Sequence, residues 1–352
     1  MSVDAVSEKL LAWYDVHRRH LPWRAEPGAP LPDPYRVWLS ETMLQQTTVA
    51  AVKPYFERFM TRWPTVRDLA RADDADVMAA WAGLGYYARA RNLLACARAI
   101  AADHGGRFPD TEEALRTLPG IGEYSAAAIA AIAFGRSAVV VDANVERVVS
   151  RLFAFDQPLP QARPRLRALV ARVTPEERAG DFAQAMMDLG SGICAVRSPQ
   201  CLICPLSDSC EGRRLGTPTA FPVKAAKKPK PQRHGTAFWI ERDEKVWLVR
   251  RPAKGMLGGM RALPTGDWVD AAPGLASAPI AADWLPCGAV DHVFTHFALR
   301  LSVVRATGSP DGEGEWWPVA SIGEAGLPTL FARAAERAIA GREGASRAGR
   351  ES

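Results

Sequence analysis

The chain has 352 residues, of which 48% are hydrophobic and 24% charged, and its formal net charge is +5 at pH 7. Its length predicts two domains, with room for a third, and its apolar content is ample for packed cores and excludes a disordered chain. The positive charge is concentrated in residues 211–235, which contain seven Lys or Arg and one Glu. The overall charge therefore does not by itself indicate a nucleic-acid partner.

No signal peptide or membrane span is predicted. The amphipathic amino terminus lacks the unbroken apolar core of a signal peptide. The longest apolar stretch, residues 126–141, is interrupted by Gly135 and Arg136 and is too short to cross a bilayer. We therefore expect a soluble protein of a reducing compartment.

Residues 1–214 are predicted to be helical, because apolar residues recur at helical spacing and no run of alternating strands interrupts them. Asp33-Pro34 forms a cap and first-turn pair for one helix. Another helix starts near Glu123 and ends at Gly135, since glycine readily adopts the conformation that closes a helix.

The composition changes at residues 215–235, where Pro, Lys and small residues predict an interdomain connector. Residues 236–340 then follow a strand pattern with a closing helix. Within it, Ala237–Ile240 and Val246–Val249 flank a turn-like segment, as in a β-hairpin. The tail, residues 341–352, is small and charged and is predicted to be disordered.

The sequence Leu118-Pro-Gly120-Ile-Gly122 predicts a tight hairpin between two helices. Its glycines allow backbone N–H groups beside a helix N-terminus to hold a DNA phosphate without reading bases. An ordinary helical hairpin is the alternative. Downstream, Asp142 is either a functional carboxylate or, like Asn144, simply a cap for the next helix.

Four of the six cysteines lie within 17 residues, with the spacing C-x6-C-x2-C-x5-C. Thiolates crowded in this way ligate a soft metal or an iron–sulfur cluster. Structural zinc sites usually use two C-x2-C pairs, and only one is present here. The spacing favours a 4Fe-4S cluster, with zinc, disulfides and simple buried thiols as alternatives. The predicted ligands are Cys194, Cys201, Cys204 and Cys210.

These elements in this order resemble the endonuclease III superfamily of DNA glycosylases over residues 5–212. Members that also cut the DNA backbone carry a lysine two positions beyond Gly122, where its amine attacks the sugar. This chain has Tyr124 there. A phenol cannot form an imine, so the resemblance implies an enzyme that releases a base and leaves the strand intact.

The segment Trp38–Thr47 resembles the catalytic helix of the adenine DNA glycosylases, which remove adenine mispaired with 8-oxoguanine. The resemblance implies that Glu41, in an apolar setting that keeps it protonated, donates a proton to N7 of a flipped adenine. An ionised Asp142 would stabilise the sugar cation, with Tyr124 assisting there. The alternative for Glu41 is a solvated helical glutamate.

The resemblance assigns roles to further residues. Arg24 and Gln184 are expected to contact the adenine, Tyr86 to insert into the duplex, and Gln46 to lie beside the flipped nucleotide. The chain departs from the family at Ala143, where glycine is usual, and the added methyl group constrains the backbone beside the catalytic carboxylate.

The carboxy-terminal domain resembles the Nudix-like domain appended to these glycosylases. The glycine-rich loop of residues 254–260 fits this resemblance, whereas the Nudix hydrolase box is absent. Phe294, Thr295 and His296 stand where the family carries Phe-Ser-His to contact 8-oxoguanine. The domain is therefore expected to recognise the lesion without hydrolysing it. A strand start with an incidental histidine is the alternative.

The sequence thus predicts a multidomain chain, with an all-α helix-hairpin-helix domain and an α+β Nudix-like domain. It would be a monomeric bacterial enzyme of the cytoplasm that acts on double-stranded DNA containing A:8-oxoguanine or A:G. The alternatives are a combined glycosylase and lyase for oxidised pyrimidines, which Tyr124 argues against, and a non-catalytic iron–sulfur DNA-binding module, which Glu41 and Asp142 argue against.

Overall fold

The computed structural model describes residues 4–26, 28–225, 229–252 and 255–348. The chain forms two compact units, divided between residues 226 and 227. This division falls inside the connector predicted at 215–235. Residues 226–228 of that connector, Lys254 of the glycine-rich loop and residues 349–352 of the tail lie outside the described residues.

The first unit is helical, as predicted, and a cis peptide bond precedes both Pro160 and Pro222. Its described residues form α1 Asp4–His17, α2 Pro34–Leu44, α3 Val49–Arg62, α4 Val66–Ala70, α5 Asp74–Trp81, α6 Ala88–Asp103, α7 Glu112–Leu115, α8 Glu123–Phe134, α9 Ala143–Leu152, α10 Arg163–Val173, α11 Ala179–Gly192 and α12 Glu211–Arg214.

The local signals read from the sequence set the helix ends. The Asp33 carboxylate accepts a hydrogen bond of 2.9 Å from the N–H of Tyr35, and Pro34 begins α2. At the C-terminal end of α8, Gly135 has φ +66°, a left-handed conformation that glycine adopts without steric cost. Both predicted helix boundaries are confirmed.

The central helix of the first unit is α8, which is rich in alanine and buried along most of its length. Its small side chains let α2 and α11 pack closely against it. A Cβ atom at Gly180 of α11 would lie 2.4 Å from the carbonyl oxygen of Ala131, so this contact is between backbones. This packing brings residues from α2 and α11 together beside α8.

The second unit has the α+β composition predicted for it. Its described residues form β1 Gln232–Arg242, β2 Lys245–Arg250, β3 Arg261–Ala262, β4 Leu285–Val293, β5 Ala298–Thr307, β6 Glu315–Pro318 and α13 Thr329–Ala348. The strands make one sheet in the order β3-β2-β1-β5-β4, with β6 paired to β2. The β1–β5 pair is parallel and the other pairs are antiparallel.

The predicted hairpin is confirmed by the pairing of Glu241 with Val246. One apolar face of α13 packs against the sheet through Leu330, Phe331 and Ala334. The closing helix is longer than predicted, because α13 continues beyond residue 340 to Ala348; the disorder of the tail stays a prediction. The alanine, glutamate and arginine residues of this segment are good helix formers and extend the helix.

In the part of the chain that the structure describes, no helix is long and apolar enough to cross a membrane.

Candidate active site

Glu41 lies on the buried face of α2 and is only 6% exposed. The hydroxyl of Tyr124, from the first turn of α8, donates a hydrogen bond of 2.6 Å to its Oε2 atom. The two residues are 83 positions apart in sequence, and the packing of α8 against α2 brings them together. The solvated position considered for Glu41 is therefore wrong.

The pKa of Glu41 is raised from 4.5 to about 7. Burial is the main cause, because a carboxylate loses its hydration inside the protein. The hydrogen bond from Tyr124 lowers the pKa, the Asp142 carboxylate raises it, and the Arg24 guanidinium lowers it. Near neutral pH this carboxyl group can therefore both hold and release a proton.

Tyr124 keeps its proton. Its pKa is raised well above 10, first by burial and then by the negative charges of Glu41 and Asp142. The phenol is therefore a stable hydrogen-bond donor at this position.

Asp142 is the N-cap of α9, where its Oδ1 atom accepts a hydrogen bond of 2.7 Å from the N–H of Val145. Its Oδ2 atom accepts a hydrogen bond of 2.8 Å from the side-chain amide of Asn144. The capping role considered in the sequence is thus present, and the same carboxylate is near enough to influence the pKa of Glu41. Ala143 is the first residue of α9, a helical position that alanine favours.

Glu41 and Tyr124 each line an opening of the first unit. Glu41 lines a small cavity, here called the Glu41 cavity. Its lining also includes Arg19, Leu21, Trp23, Arg24, Val37, Ser40, Leu44, Val49, Ile132, Gln184 and Met187. Tyr124 and Asp142 line a cleft of about 930 Å³, here called the Asp142 cleft.

The structure thus brings together the predicted residues Arg24, Gln184 and Glu41 around one cavity. Sequence reasoning missed Asp188, which forms a two-pronged ion pair with Arg24 at 2.6 and 2.8 Å. Arg19 also binds this carboxylate. The only sequence signal for Asp188 is its position four residues after Gln184, on the same face of a helix.

The predicted duplex-inserting residue, Tyr86, is 63% exposed, so the core tyrosine considered as an alternative is wrong. It has φ +48°, next to Gly85 with φ +69°, and this left-handed backbone turns its side chain outwards. Gln46 is also exposed and has φ +58°. Both side chains are therefore exposed to a partner, and the Arg89 guanidinium lies 5.5 Å from the centroid of the Tyr86 ring.

Sequence reasoning also missed Arg89, which connects the Tyr86 loop to α2. Its guanidinium donates to the carbonyl oxygens of Thr42 and Met43 at the end of α2. It also donates to the carbonyl oxygen of Leu84 at 3.1 Å. A cation at a helix C-terminus is favourable, and Arg89 fixes the exposed loop to the helix that carries Glu41.

The hairpin between α7 and α8 has the predicted glycine geometry. Gly120 has φ +75°, and a Cβ atom there would lie 2.7 Å from Cβ of Asn92. Leu118 is buried beneath the turn, while Gly120 and Gly122 are exposed. The turn exposes the backbone of Gly120 and Gly122 at the N-terminus of α8.

The four predicted cysteine ligands line one cavity of about 300 Å³ and are free thiols. Burial raises the pKa of Cys204 to about 11, and the neighbouring thiolates add to the rise. Among the described residues, no three His, Cys, Asp or Glu converge closely enough to hold a single ion.

Two arginines hold the cysteine loop, and one of them, Arg147, connects it to the site. Arg151 donates to Sγ of Cys194 at 3.3 Å. Arg147 donates to the Cys194 carbonyl at 2.9 Å and to the Asn144 side chain at 2.9 Å. Since Asn144 also binds Asp142, a continuous hydrogen-bond chain runs from the cysteine loop to that carboxylate.

In the second unit, the predicted recognition residues lie in the turn between β4 and β5. Phe294 is half-buried and stacks on Trp268, with ring centroids 5.3 Å apart. Its N–H donates 2.8 Å to the carbonyl of Phe297. Thr295 and His296 are exposed at the tip. Phe294 thus anchors the turn and leaves the two polar side chains free.

Comparison with known proteins places both units in described families. The family model for the HhH-GPD superfamily base excision DNA repair protein matches residues 39–172, and a NUDIX domain model matches residues 236–337. The first unit also resembles the solved structure of a thermostable thymine-DNA glycosylase, with a TM-score of 0.55 and 30% identity, over 61% of this chain and 97% of that one. A trapped endonuclease III–DNA covalent intermediate shares the fold, with a TM-score of 0.50 and 22% identity over 60% of this chain and 95% of that one. The first unit is thus of the helix-hairpin-helix repair class.

The curated relatives are more specific. The adenine DNA glycosylase of Mycolicibacterium smegmatis is 43% identical over 62% of this chain and 72% of its own length. The human adenine DNA glycosylase is 35% identical over 86% of this chain, and that of Buchnera aphidicola 28% identical over 93% of this chain and 97% of its own length. The chain therefore belongs to the adenine DNA glycosylase family. It spans 66% of the length of the human relative and 46% of the Arabidopsis one.

Proposed function

We propose that this protein is a monofunctional DNA glycosylase that hydrolyses the N-glycosidic bond of adenine mispaired with 8-oxoguanine or guanine. One observation carries the proposal: a buried carboxyl group, Glu41, whose pKa is about 7, lines a cavity together with Arg24 and Gln184. Adenine leaves readily only after protonation of its ring nitrogen, and a positioned neutral carboxyl supplies that proton.

In this mechanism the flipped adenine occupies the Glu41 cavity, with Arg24 and Gln184 beside it. Glu41 transfers its proton to N7 of the base. The C1′–N9 bond then breaks, and its electron pair leaves with the adenine. Tyr124 holds Oε2 of Glu41 and so leaves the other carboxyl oxygen to face the base.

Bond cleavage leaves positive charge on the sugar, and Asp142 supplies the opposing negative charge. Paired carboxylates of this kind, one an acid and one ionised, are the usual means of breaking glycosidic bonds. Its two hydrogen bonds, from Val145 and Asn144, hold the carboxylate in place. Water then adds to the sugar carbon and loses a proton, which gives an abasic site with both strands intact.

Double-stranded DNA is the proposed partner. The exposed Gly120 and Gly122 suit a backbone phosphate at the N-terminus of α8, with Leu118 holding the turn. The exposed Tyr86 suits insertion between bases, which offsets part of the few kcal/mol that flipping costs. Gln46 would then contact the nucleotide that flips.

We also propose that a 4Fe-4S cluster binds the four cysteines that line the cavity near α12. Four thiolates are the usual ligand set for such a cluster, and the four cysteines line one cavity. Endonuclease III-like glycosylases commonly carry this cluster. When bound, it would cross-link the loop and could exchange electrons. Arg147 and Arg151 are placed to stabilise the negative charge of the ligand loop.

The second unit is proposed to recognise 8-oxoguanine through Thr295 and His296, whose exposed side chains can hydrogen-bond a base edge. Phe294 would serve to hold their turn. The absence of the Nudix hydrolase box from the sequence supports recognition without hydrolysis.

The enzyme is proposed to act as a monomer in the cytoplasm of a bacterium, on the nucleoid. All proposed catalytic groups come from one chain, and closely spaced cysteines that bind a metal or a cluster are typical of a reducing compartment. A lyase with activity on oxidised pyrimidines is disfavoured by Tyr124, and a non-catalytic DNA-binding module by the elevated pKa of Glu41.

The deciding experiment is a single-turnover assay with the purified protein on matched duplexes that contain A:8-oxoguanine, A:G, A:T or an oxidised pyrimidine. We expect adenine release from the first two, with strand breaks only after alkali. Release of an oxidised pyrimidine, or no base release from any duplex, would refute the proposed function.

A further inference from the structure

One carboxylate organises the amino-terminal wall of the Glu41 cavity. Asp188 of α11 is buried, with its side chain only 2% exposed. Its Oδ2 atom accepts a hydrogen bond of 2.6 Å from Nη1 of Arg24, and its Oδ1 atom accepts one of 2.8 Å from Nη2 of the same residue. The backbone N–H and the side chain of Arg19 bind the same carboxylate, at 3.1 and 2.6 Å. A single side chain thus fixes both ends of the segment that contributes Leu21 and Trp23 to the cavity.

The position of Asp188 on its helix connects this clamp to the base-contacting residue proposed above. Gln184 lies one helical turn earlier, and Met187 between them also lines the cavity. Since residues four apart share a helix face, α11 presents an amide to the cavity and a carboxylate to the arginine behind it. A two-pronged contact also restricts the rotation of the Arg24 guanidinium.

The clamp also has an electrostatic consequence for Glu41. The charged or titratable groups that affect the pKa of Glu41 are Arg24 from the segment before α2, Tyr124 from α8 and Asp142 from the start of α9. Arg19 also lines the cavity, whereas the groups of α11 that line it, Gln184 and Met187, carry no charge. Arg24 is therefore the cation that affects Glu41, and Asp188 is the counter-ion of both arginines.

The pKa values of both Arg24 and Asp188 are shifted by their contact. Burial opposes the charge of Arg24, but its hydrogen bonds to Asp188 more than offset this, and the pKa of Arg24 is raised. Burial likewise opposes ionisation of Asp188, but Arg24 and Arg19 lower its pKa overall. The carboxylate thus stays ionised and neutralises one of the two arginine charges beside the cavity.

We propose that Asp188 is a positioning residue of the excision reaction, which fixes Arg24 as a wall of the Glu41 cavity and balances part of its charge, so that Glu41 keeps its proton to higher pH. The proposal rests on the adenine glycosylase function proposed above. In it, Asp188 does not contact the base, but it positions Arg24 beside the base and helps Glu41 to keep its proton.

The test is the pH dependence of single-turnover adenine release by the full-length protein. In Asp188→Asn the charge of Arg24 is no longer balanced. The unbalanced charge lowers the pKa of Glu41, so Glu41 loses its acidic proton at a lower pH than in wild type. The alkaline limb of the profile should move down by roughly one pH unit, the scale expected for an opposite charge nearby. Asp188→Glu, which restores the charge, should move it back towards wild type.

Arg24→Gln should shift the alkaline limb of the profile in the opposite direction. It removes the cation, so Glu41 should keep its proton to higher pH and the alkaline limb should move up. This variant leaves Asp188 paired with Arg19, and it keeps the proposal testable if Asp188→Asn does not fold. Circular dichroism at the assay temperature checks folding of each variant.

The matched control is Asp181→Asn, on the same helix, which breaks an exposed ion pair with Arg178 at 2.9 Å. Its profile should coincide with that of wild type. Shifts of opposite sign in the Asp188 and Arg24 variants support the proposal. An unshifted limb in both, or a shift in the same direction, overturns it. Inactive wild-type protein would instead refute the proposed function and is thus a distinguishable result.

Discussion

The hydroxyl of Tyr124 donates a hydrogen bond of 2.6 Å to Oε2 of Glu41. This hydrogen bond is stronger to a carboxylate than to a neutral carboxyl group. It therefore lowers the pKa of Glu41, whereas burial raises it. Burial, the larger effect, raises the pKa of Glu41, and the balance lies at about 7. A general acid is most effective when its pKa is near the working pH, and the pair meets this condition.

Glu41→Gln should abolish most of the activity. The amide keeps the shape of the side chain but has no acidic proton, so single-turnover adenine release should fall by roughly 10²–10⁴-fold. Affinity for the mispaired duplex, measured by fluorescence anisotropy, should stay within a few-fold of wild type. Near-normal release by this variant would mean that another group protonates the base.

Thermal unfolding supplies the folding control for this variant. Glu41 holds its proton more tightly in the folded chain, where its pKa is about 7, than at the ordinary value of 4.5. Its contribution to stability is thus complete below pH 4.5 and is lost as the pH rises through 7. Glutamine does not ionise, so Glu41→Gln should be more stable than wild type at pH 8, by up to about 3 kcal/mol. At pH 4.5 the two proteins should be similar.

Tyr124→Phe should move the pH profile in the alkaline direction. Without the hydrogen bond that favours the carboxylate, the pKa of Glu41 should rise further, by about one unit for a bond to a charged group. Adenine release should then persist to higher pH. Tyr35→Phe is the control, because this buried tyrosine, also on α2, bonds the carbonyl of Trp63 at 2.8 Å. An equal shift in both variants would exclude a specific effect at Glu41.

Borohydride added during turnover should trap little or no covalent protein–DNA adduct. Tyr124 occupies the position where the lyases carry lysine, and a phenol cannot form the imine that borohydride reduces. Denaturing gels should show strand breaks only after alkali or heat. Efficient trapping by the wild-type protein would identify another amine as a nucleophile and restore the lyase interpretation.

The elements that the sequence predicted well depend on neighbouring residues. The caps at Asp33 and Gly135, the hairpin at residues 118–122 and the strand pair β1–β2 are each determined within a few positions. The exposed Tyr86 followed from a motif, because its glycine neighbours allow the backbone to turn outwards. Local signals of this kind can be read from one sequence.

The contacts that the sequence did not reveal join distant segments. Asp188 binds Arg24 across 164 positions, and Arg89 binds Met43 across 46. Arginines and aspartates are numerous and mostly exposed, so composition gives no means of choosing these pairs. The length of α13 was also missed, because helix propensity after residue 340 competed with a polar composition that resembles a disordered tail.

Cys201→Ser should lose iron. If the four cysteines ligate one cluster, wild-type protein should be yellow-brown with about four irons per chain. The serine variant should contain less iron and bind DNA poorly, because the ligand loop also contacts Arg147 and Arg151. Cys287→Ser, which removes a half-buried thiol of the second unit, should keep the full iron content. Colourless, active wild-type protein with stoichiometric zinc would contradict the cluster assignment.

Replacing Thr295 and His296 together with alanine should weaken recognition of the lesion. Both side chains are exposed at a turn that Phe294 anchors on Trp268, so their loss should leave the turn folded. Binding to A:8-oxoguanine should weaken by roughly 1–3 kcal/mol, the scale of hydrogen bonds to a base edge. Binding to A:G should change less, because guanine lacks the altered edge of the lesion. Thr307→Ala, at the exposed far end of β5, is the control and should bind both duplexes like wild type. Equal losses on the two mispairs would assign this turn a general role in holding DNA, since the lesion would then make no difference to its contacts.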